Sequence, residues 1–183
     1  MKILTLALLA LPLFLISTNA NAQTIGLSKG GNVPSAITLL DQENNKTDLN
    51  DLSGDNGTVI VFYRSAKWCP YCQSQLIDLK ANQEAIESKG YNLVGISYDS
   101  VADLKKFSDK HQISYSLLSD EGSQTIKAFG IFNDKHKEGS FAYGVPHPAV
   151  YIVGKDGVIK DVLREEGYKK RPEVSDIVEA IEK

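Results

Sequence analysis

Thr58-Val59-Ile60-Val61-Phe62-Tyr63, then Arg64-Ser65-Ala66-Lys67-Trp68, then Cys69-Pro70-Tyr71-Cys72-Gln73-Ser74-Gln75-Leu76: the reading of this stretch decides the fold. Its first six residues are an unbroken β-branched and aromatic run, the pattern of a strand buried on both faces. Beyond the cysteines, Leu76, Ile77, Leu79, Ala81, Ala85 and Ile86 fall on one face of a helix predicted from Cys69 to about Ser88, with Lys89-Gly90 as its stop. Both cysteines therefore sit where a buried strand hands over to an amphipathic helix.

Outward from that unit the pattern repeats. Leu93-Val94-Gly95-Ile96-Ser97-Tyr98 reads as a second buried strand, Val101 to His111 as a helix, and Ser116 to Ser119 as a short strand. Ala149-Val150-Tyr151-Ile152-Val153 and Val158-Ile159-Lys160-Asp161-Val162-Leu163 flank Gly154-Lys155-Asp156-Gly157, the spacing of a β-hairpin. A closing helix carries Val174, Ile177, Val178 and Ile181, with Pro172 in its first turn. On the amino-terminal side, Ala36-Ile37-Thr38-Leu39-Leu40 and the turn-rich Asp41 to Lys46 predict a small antiparallel preface. Periodicity fails from Phe129 to Val145, and Asn133 to Gly144 reads as a loop. Alternating β and α units of this length give an α/β domain, a central sheet flanked by helices with an N-terminal β extension.

The first residues read as an address. Lys2 precedes an apolar run from Ile3 to Ile16 that is too short to span a bilayer core, and Ala20-Asn21-Ala22 is a small-x-small cleavage pattern. We therefore expect residues 1–22 to be a cleaved signal peptide, residues 23–32 a flexible lead, and residues 33–183 one domain, exported to the periplasm, with secretion as the alternative. A membrane anchor is the competing reading. Of the 20 basic side chains only Lys2 lies in the leader, so the mature chain would carry 19 against 23 acidic ones, with no basic run to track a phosphate backbone. Nucleic acid is not an expected partner, and no membrane span is expected in the mature chain.

In an oxidising compartment a lone cysteine pair is either a structural bridge or a redox centre. At a helix start, free amide groups and the positive dipole end favour the Cys69 thiolate. Pro70 suits the first helical position, and Cys72, three residues on, lies on the same face at bridging distance. A structural staple is a poor alternative, because closing a loop of roughly four residues gives only about 2 kcal/mol in the chain-entropy model. A zinc site completed by His136 or His147 has neither a second C-x-x-C nor a close histidine pair to support it. Trp68 either fills the core or packs beside the reactive sulfur, and Tyr71 is expected to face solvent, either touching a bound substrate chain or as a tolerated exposed aromatic. Arg64 and Lys67 are candidates to lower the thiolate pKa through positive charge. Two prolines before a buried strand, Pro146 and Pro148, suggest one cis peptide bond, Pro148 being the better candidate.

With its hydrophobic strand before and helix after, Trp68-Cys69-Pro70-Tyr71-Cys72 resembles the redox motif of the thioredoxin superfamily, and the C-P-Y-C tetrapeptide itself looks like that of glutaredoxins. The wider pattern, Val61 to Leu76, Leu93 to Ser97 and Pro148 to Gly157, is similar to the peroxiredoxin-like redoxins, the alkyl hydroperoxide reductase and thiol-specific antioxidant group. That resemblance covers roughly residues 33–183 and implies a thioredoxin-like fold, with Cys69 as nucleophile, Cys72 as resolving thiol and Pro148 as a cis-proline beside them. Two departures stand out. Peroxiredoxins usually place a threonine or serine three residues ahead of the peroxidatic cysteine, whereas Ser65 lies four ahead of Cys69; thioredoxins usually bury an acid where this chain has Tyr63.

The leading expectation is dithiol–disulfide exchange at Cys69 and Cys72, with a disulfide-bearing protein or a small thiol as partner and neither cofactor nor metal. In the alternative, Cys69 attacks a hydroperoxide and Cys72 resolves the sulfenic acid. A third reading is a non-catalytic binding module that uses the Asn133 to Gly144 loop. The electron donor is not legible.

Overall fold

The computed structural model describes residues 25–35, 37–167 and 169–183. The expected signal peptide lies outside the described residues, as does Ala36 at the expected start of the first strand. Among the described residues seven strands form one mixed sheet: β1 (Thr38–Asp41), β2 (Lys46–Asp48), β3 (Gly57–Phe62), β4 (Tyr91–Ser97), β5 (Ser116–Ser119), β6 (Ala149–Gly154) and β7 (Ile159–Leu163), in the order β2-β1-β5-β4-β3-β6-β7. The β3–β4 and β4–β5 pairs are parallel and the others antiparallel.

The strand that decided the reading is central, and all six of its residues are buried. Its side chains alternate between two core layers, Val59 and Val61 into one, Ile60 and Phe62 into the other. The first layer is closed by α1 (Pro70–Ala81), α2 (Gln83–Glu87), α3 (Val101–His111) and α5 (Val174–Glu182), through residues such as Leu76, Ile86, Leu104 and Ile177. The second is closed by α4 (Gln124–Ala128) and its surroundings through Ile126, Phe129 and Ile131. Each large apolar side chain so buried contributes roughly 1.5–3 kcal/mol. A mixed sheet flanked by helices is the expected thioredoxin-like architecture.

Three local differences from the sequence reading have physical causes. The expected single helix from Cys69 to Ser88 breaks at Asn82 (φ −116°, ψ 15°), whose side-chain amide bonds back to the Asp78 carbonyl and carboxylate, the competition with helix that asparagine offers. Helix α4 is too short to show periodicity; it starts where the Asp120 carboxylate accepts the Thr125 and Ile126 amides. The lead is not loose throughout: Leu27 bonds Phe129 through its amide, Gly30 bonds Ile159, and Asn32 pairs with Val158.

Candidate functional site

The β3–β6 register pairs Phe62 with Ala149, so the residues that follow β3 and precede β6 emerge together at one end of the sheet. From there the chain crosses from Tyr63 to Trp68 and enters α1, whose cap is Cys69 and whose first residue is Pro70. The Cys69 sulfur accepts the Cys72 amide at 3.3 Å, placing it against the free donors of the helix start. Cys69 and Cys72 are joined by a disulfide with Cα atoms 5.3 Å apart, and both residues are buried, 1% and 0% exposed.

The crossing segment is held by an acid that the sequence reading did not single out. Asp99, buried just after β4, accepts the Ser65 hydroxyl (2.7 Å), the Ala66 amide (2.6 Å) and the Ser97 hydroxyl (2.9 Å). Ser65 in turn accepts the Lys67 and Trp68 amides. Burial raises the Asp99 pKa above the usual carboxylate range, while the three donated bonds pull it back. Its legible signal was position: an acid at the carboxyl end of a parallel strand, where α/β sheets collect their sites. Nearby, Tyr63 is fully buried and its hydroxyl pKa is pushed up by burial and by the Asp99 charge.

A second missed residue touches the sulfurs directly. Arg171 reaches in from the segment before α5, its Nη2 3.3 Å from the Cys72 sulfur and 3.9 Å from the Cys69 sulfur. Burial, with the neighbouring Arg64 charge, lowers its pKa to about 10, so it stays cationic at neutral pH. The one cue in the sequence was the basic cluster Lys169-Lys170-Arg171 ahead of the closing helix.

The sequence candidates are distributed as follows. Arg64 lies 4.7 Å over the Trp68 ring. Trp68 donates from Nε1 to the Tyr98 hydroxyl (2.9 Å) and stands edge-on to Phe141 at 5.1 Å, tying the 133–144 loop to the motif. Tyr71 is 42% exposed, on a cleft of about 590 Å³ between α1 and the segment carrying Arg171. Lys67 is drawn away from the sulfurs into an ion pair with Asp103 at 3.2 Å. His147 and Pro148 line a second cleft, of about 710 Å³, together with Arg64. The expected cis-proline is corrected: no peptide bond among the described residues is cis. Asn133 donates to Val145 and His147 to Ile131, so the chain runs extended into β6 in a short antiparallel pairing that leaves no tight turn for a cis bond to make.

Residues 30–162 match the AhpC/TSA family model. Peroxiredoxin Bcp of Escherichia coli (strain K12) is 29% identical over 135 residues, 74% of this chain and 85% of that protein. A peroxiredoxin homologue of Mycobacterium tuberculosis (strain ATCC 25618 / H37Rv) is 33% identical over 137 residues, 75% and 85% of the two chains. Among solved structures, the bacterioferritin comigratory protein of Xanthomonas campestris, described for its alkyl peroxide reduction activity, superposes with a TM-score of 0.69 at 22% identity, covering 82% of this chain and 94% of that one.

Proposed function

Because the chain belongs to the AhpC/TSA family, we propose that it is a thiol-dependent peroxidase in which Cys69 is the peroxidatic and Cys72 the resolving cysteine. The observation that carries this is the Cys69–Cys72 bridge at the start of α1 with the Arg171 guanidinium on its sulfurs. Helix start and guanidinium both favour sulfur as an anion, the form that attacks.

In the first step the Cys69 thiolate attacks one oxygen of a hydroperoxide. The O–O bond breaks, the sulfur takes that oxygen as a sulfenic acid, and the other oxygen leaves as an alkoxide that a proton converts to alcohol. The Cys72 thiol then attacks the sulfenic sulfur, water leaves, and the bridge closes. Two electrons have passed from the dithiol to the peroxide. A Cα separation of 5.3 Å lets the bridge close without unwinding α1. The leader expected over residues 1–22 makes the periplasm the proposed compartment, where such a bridge persists between turnovers.

Dithiol–disulfide exchange remains the second reading, and one observation favours it: the Ser65 hydroxyl is donated to Asp99 and so is turned away from orienting a peroxide. Mixing reduced protein with hydrogen peroxide or an alkyl hydroperoxide separates the two. We expect one peroxide consumed per protein, abolished in Cys69→Ser, and stalled at a sulfenic acid in Cys72→Ser. Peroxide loss that is slow and insensitive to Cys69→Ser would leave exchange as the activity.

A further inference from the structure

Two clefts lie near the redox motif, one lined by Arg171, which touches the sulfurs, and the other by Arg64, which lies over Trp68, and their charges differ. In the 590 Å³ cleft, Lys169, Lys170 and Arg171 face Asp78, Glu165 and Glu173, three against three. The 710 Å³ cleft carries Arg64, Lys135 and Arg164 against Glu165 and Glu166, three against two. In a chain with a formal charge of −3, the second cleft thus keeps an excess of one positive charge where the first is balanced. Fixed cations in a concave site raise the local concentration of anions.

Of these cations, Arg164 is fixed by hydrogen bonds that reach the core. Arg164 donates from Nη2 to the Tyr151 hydroxyl at 2.7 Å and to the Leu27 carbonyl at 3.2 Å, while its buried Nε has no hydrogen-bond partner among the described residues. Lys135 is exposed on the rim and has no ion-pair partner among the described residues. At the inner end, Arg64 lies on Trp68, the residue next to Cys69. A ligand anchored by its anionic groups on Lys135 and Arg164 would extend toward the sulfurs along Arg64. The cleft volume suits a small molecule rather than a folded surface, and cysteines 1% and 0% exposed favour a donor slim enough to enter.

We propose that this cleft binds a small thiol bearing carboxylates, the reductant that reopens the Cys69–Cys72 bridge. The inference rests on the peroxidase reading, in which every turnover ends with that bridge closed. One thiolate attacks the Cys69 sulfur, the S–S bond breaks, and Cys72 leaves as a thiolate. A second attacks the bound thiol's sulfur in the mixed disulfide and releases Cys69. Two small thiols are oxidised to their disulfide, the protein takes up two electrons, and the two thiol protons pass to solvent or to the freed sulfurs.

The test uses the oxidised mature protein and three probes: glutathione, a tripeptide with two carboxylates; neutral 2-mercaptoethanol; and cationic cysteamine. Bridge opening is followed by free-thiol content, with rates expressed per thiolate. We expect glutathione to react about tenfold faster than cysteamine, a preference that shrinks as salt rises. In Lys135→Glu the ratio of the glutathione rate to the 2-mercaptoethanol rate falls about fivefold, and in Lys135→Gln it falls by less. Equal rates for the three thiols, an unchanged ratio in both variants, or opening only by a protein dithiol would overturn the proposal. Failure of the peroxidase reading is separately visible as a bridge that opens but never supports peroxide turnover with dithiothreitol.

Discussion

The redox centre is approached from two sides that are built in opposite ways. From Arg64 to Trp68 the chain is locked by Asp99, whose carboxylate holds a buried network reaching the Ser65, Ala66 and Ser97 donors. Among the described residues from Arg164 to Glu173 there is no helix or strand, yet this stretch delivers one guanidinium to both sulfurs. The first side fixes where Cys69 is; the second brings a positive charge to its sulfur. Geometry is secured by two side chains, Asp99 and Ser65, that gather donors close to the sheet, and electrostatics by a single long side chain arriving from the far end of the sequence.

If that division holds, the two sides fail differently when broken. Asp99→Ala strips the acceptor from three buried donors, and we expect a loss of about 3 kcal/mol of stability, read by denaturant unfolding. Arg171→Gln should leave stability within about 1 kcal/mol but slow the reaction of Cys69 with peroxide about tenfold, equivalent to about 1.4 kcal/mol, with Arg171→Lys recovering part of the rate. A variant that unfolds the protein without slowing the survivors, beside one that slows it without unfolding, would bear out the contrast.

Smaller effects sharpen it. Phe141→Ala removes the ring that stands against Trp68 and should cost about 0.5–1.5 kcal/mol while leaving the peroxide rate nearly unchanged, since the contact lies on the positioning side. His147 has its pKa lowered, first by burial and then by Lys135. Its folded form holds a proton less tightly than the unfolded chain, so the corresponding stability is present above the unfolded value and lost as pH falls through the folded one. Wild type should therefore lose slightly more stability between about pH 7 and 5 than His147→Gln does, measured by melts across that range.

The same contrast explains what could be read in advance. Strand β3, Cys69 and Pro70 form one contiguous signal, and α3 was legible because its periodic face begins after the capping Ser100. Asp99 lay next to a readable strand, but its role depends on Ser65 and Ala66, 34 and 33 residues away, a pairing that only the fold creates. Arg171 is 99 residues from Cys72 and sits in an irregular segment with no periodicity to place it. Pro148 misled for a related reason. A pair of prolines ahead of a strand looks like a tight turn until the pairing of Phe132 with Pro146 shows the chain to be extended.

The central claim is that a helix start and Arg171 together make the Cys69 sulfur an anion at neutral pH. The pH dependence of iodoacetamide alkylation in reduced Cys72→Ser protein measures this directly, because only the thiolate reacts. We expect a midpoint below about 7, moving up by about one unit when Arg171 is also replaced by Gln. A midpoint at or above the ordinary thiol value of about 8.5, unmoved by that replacement, would contradict it.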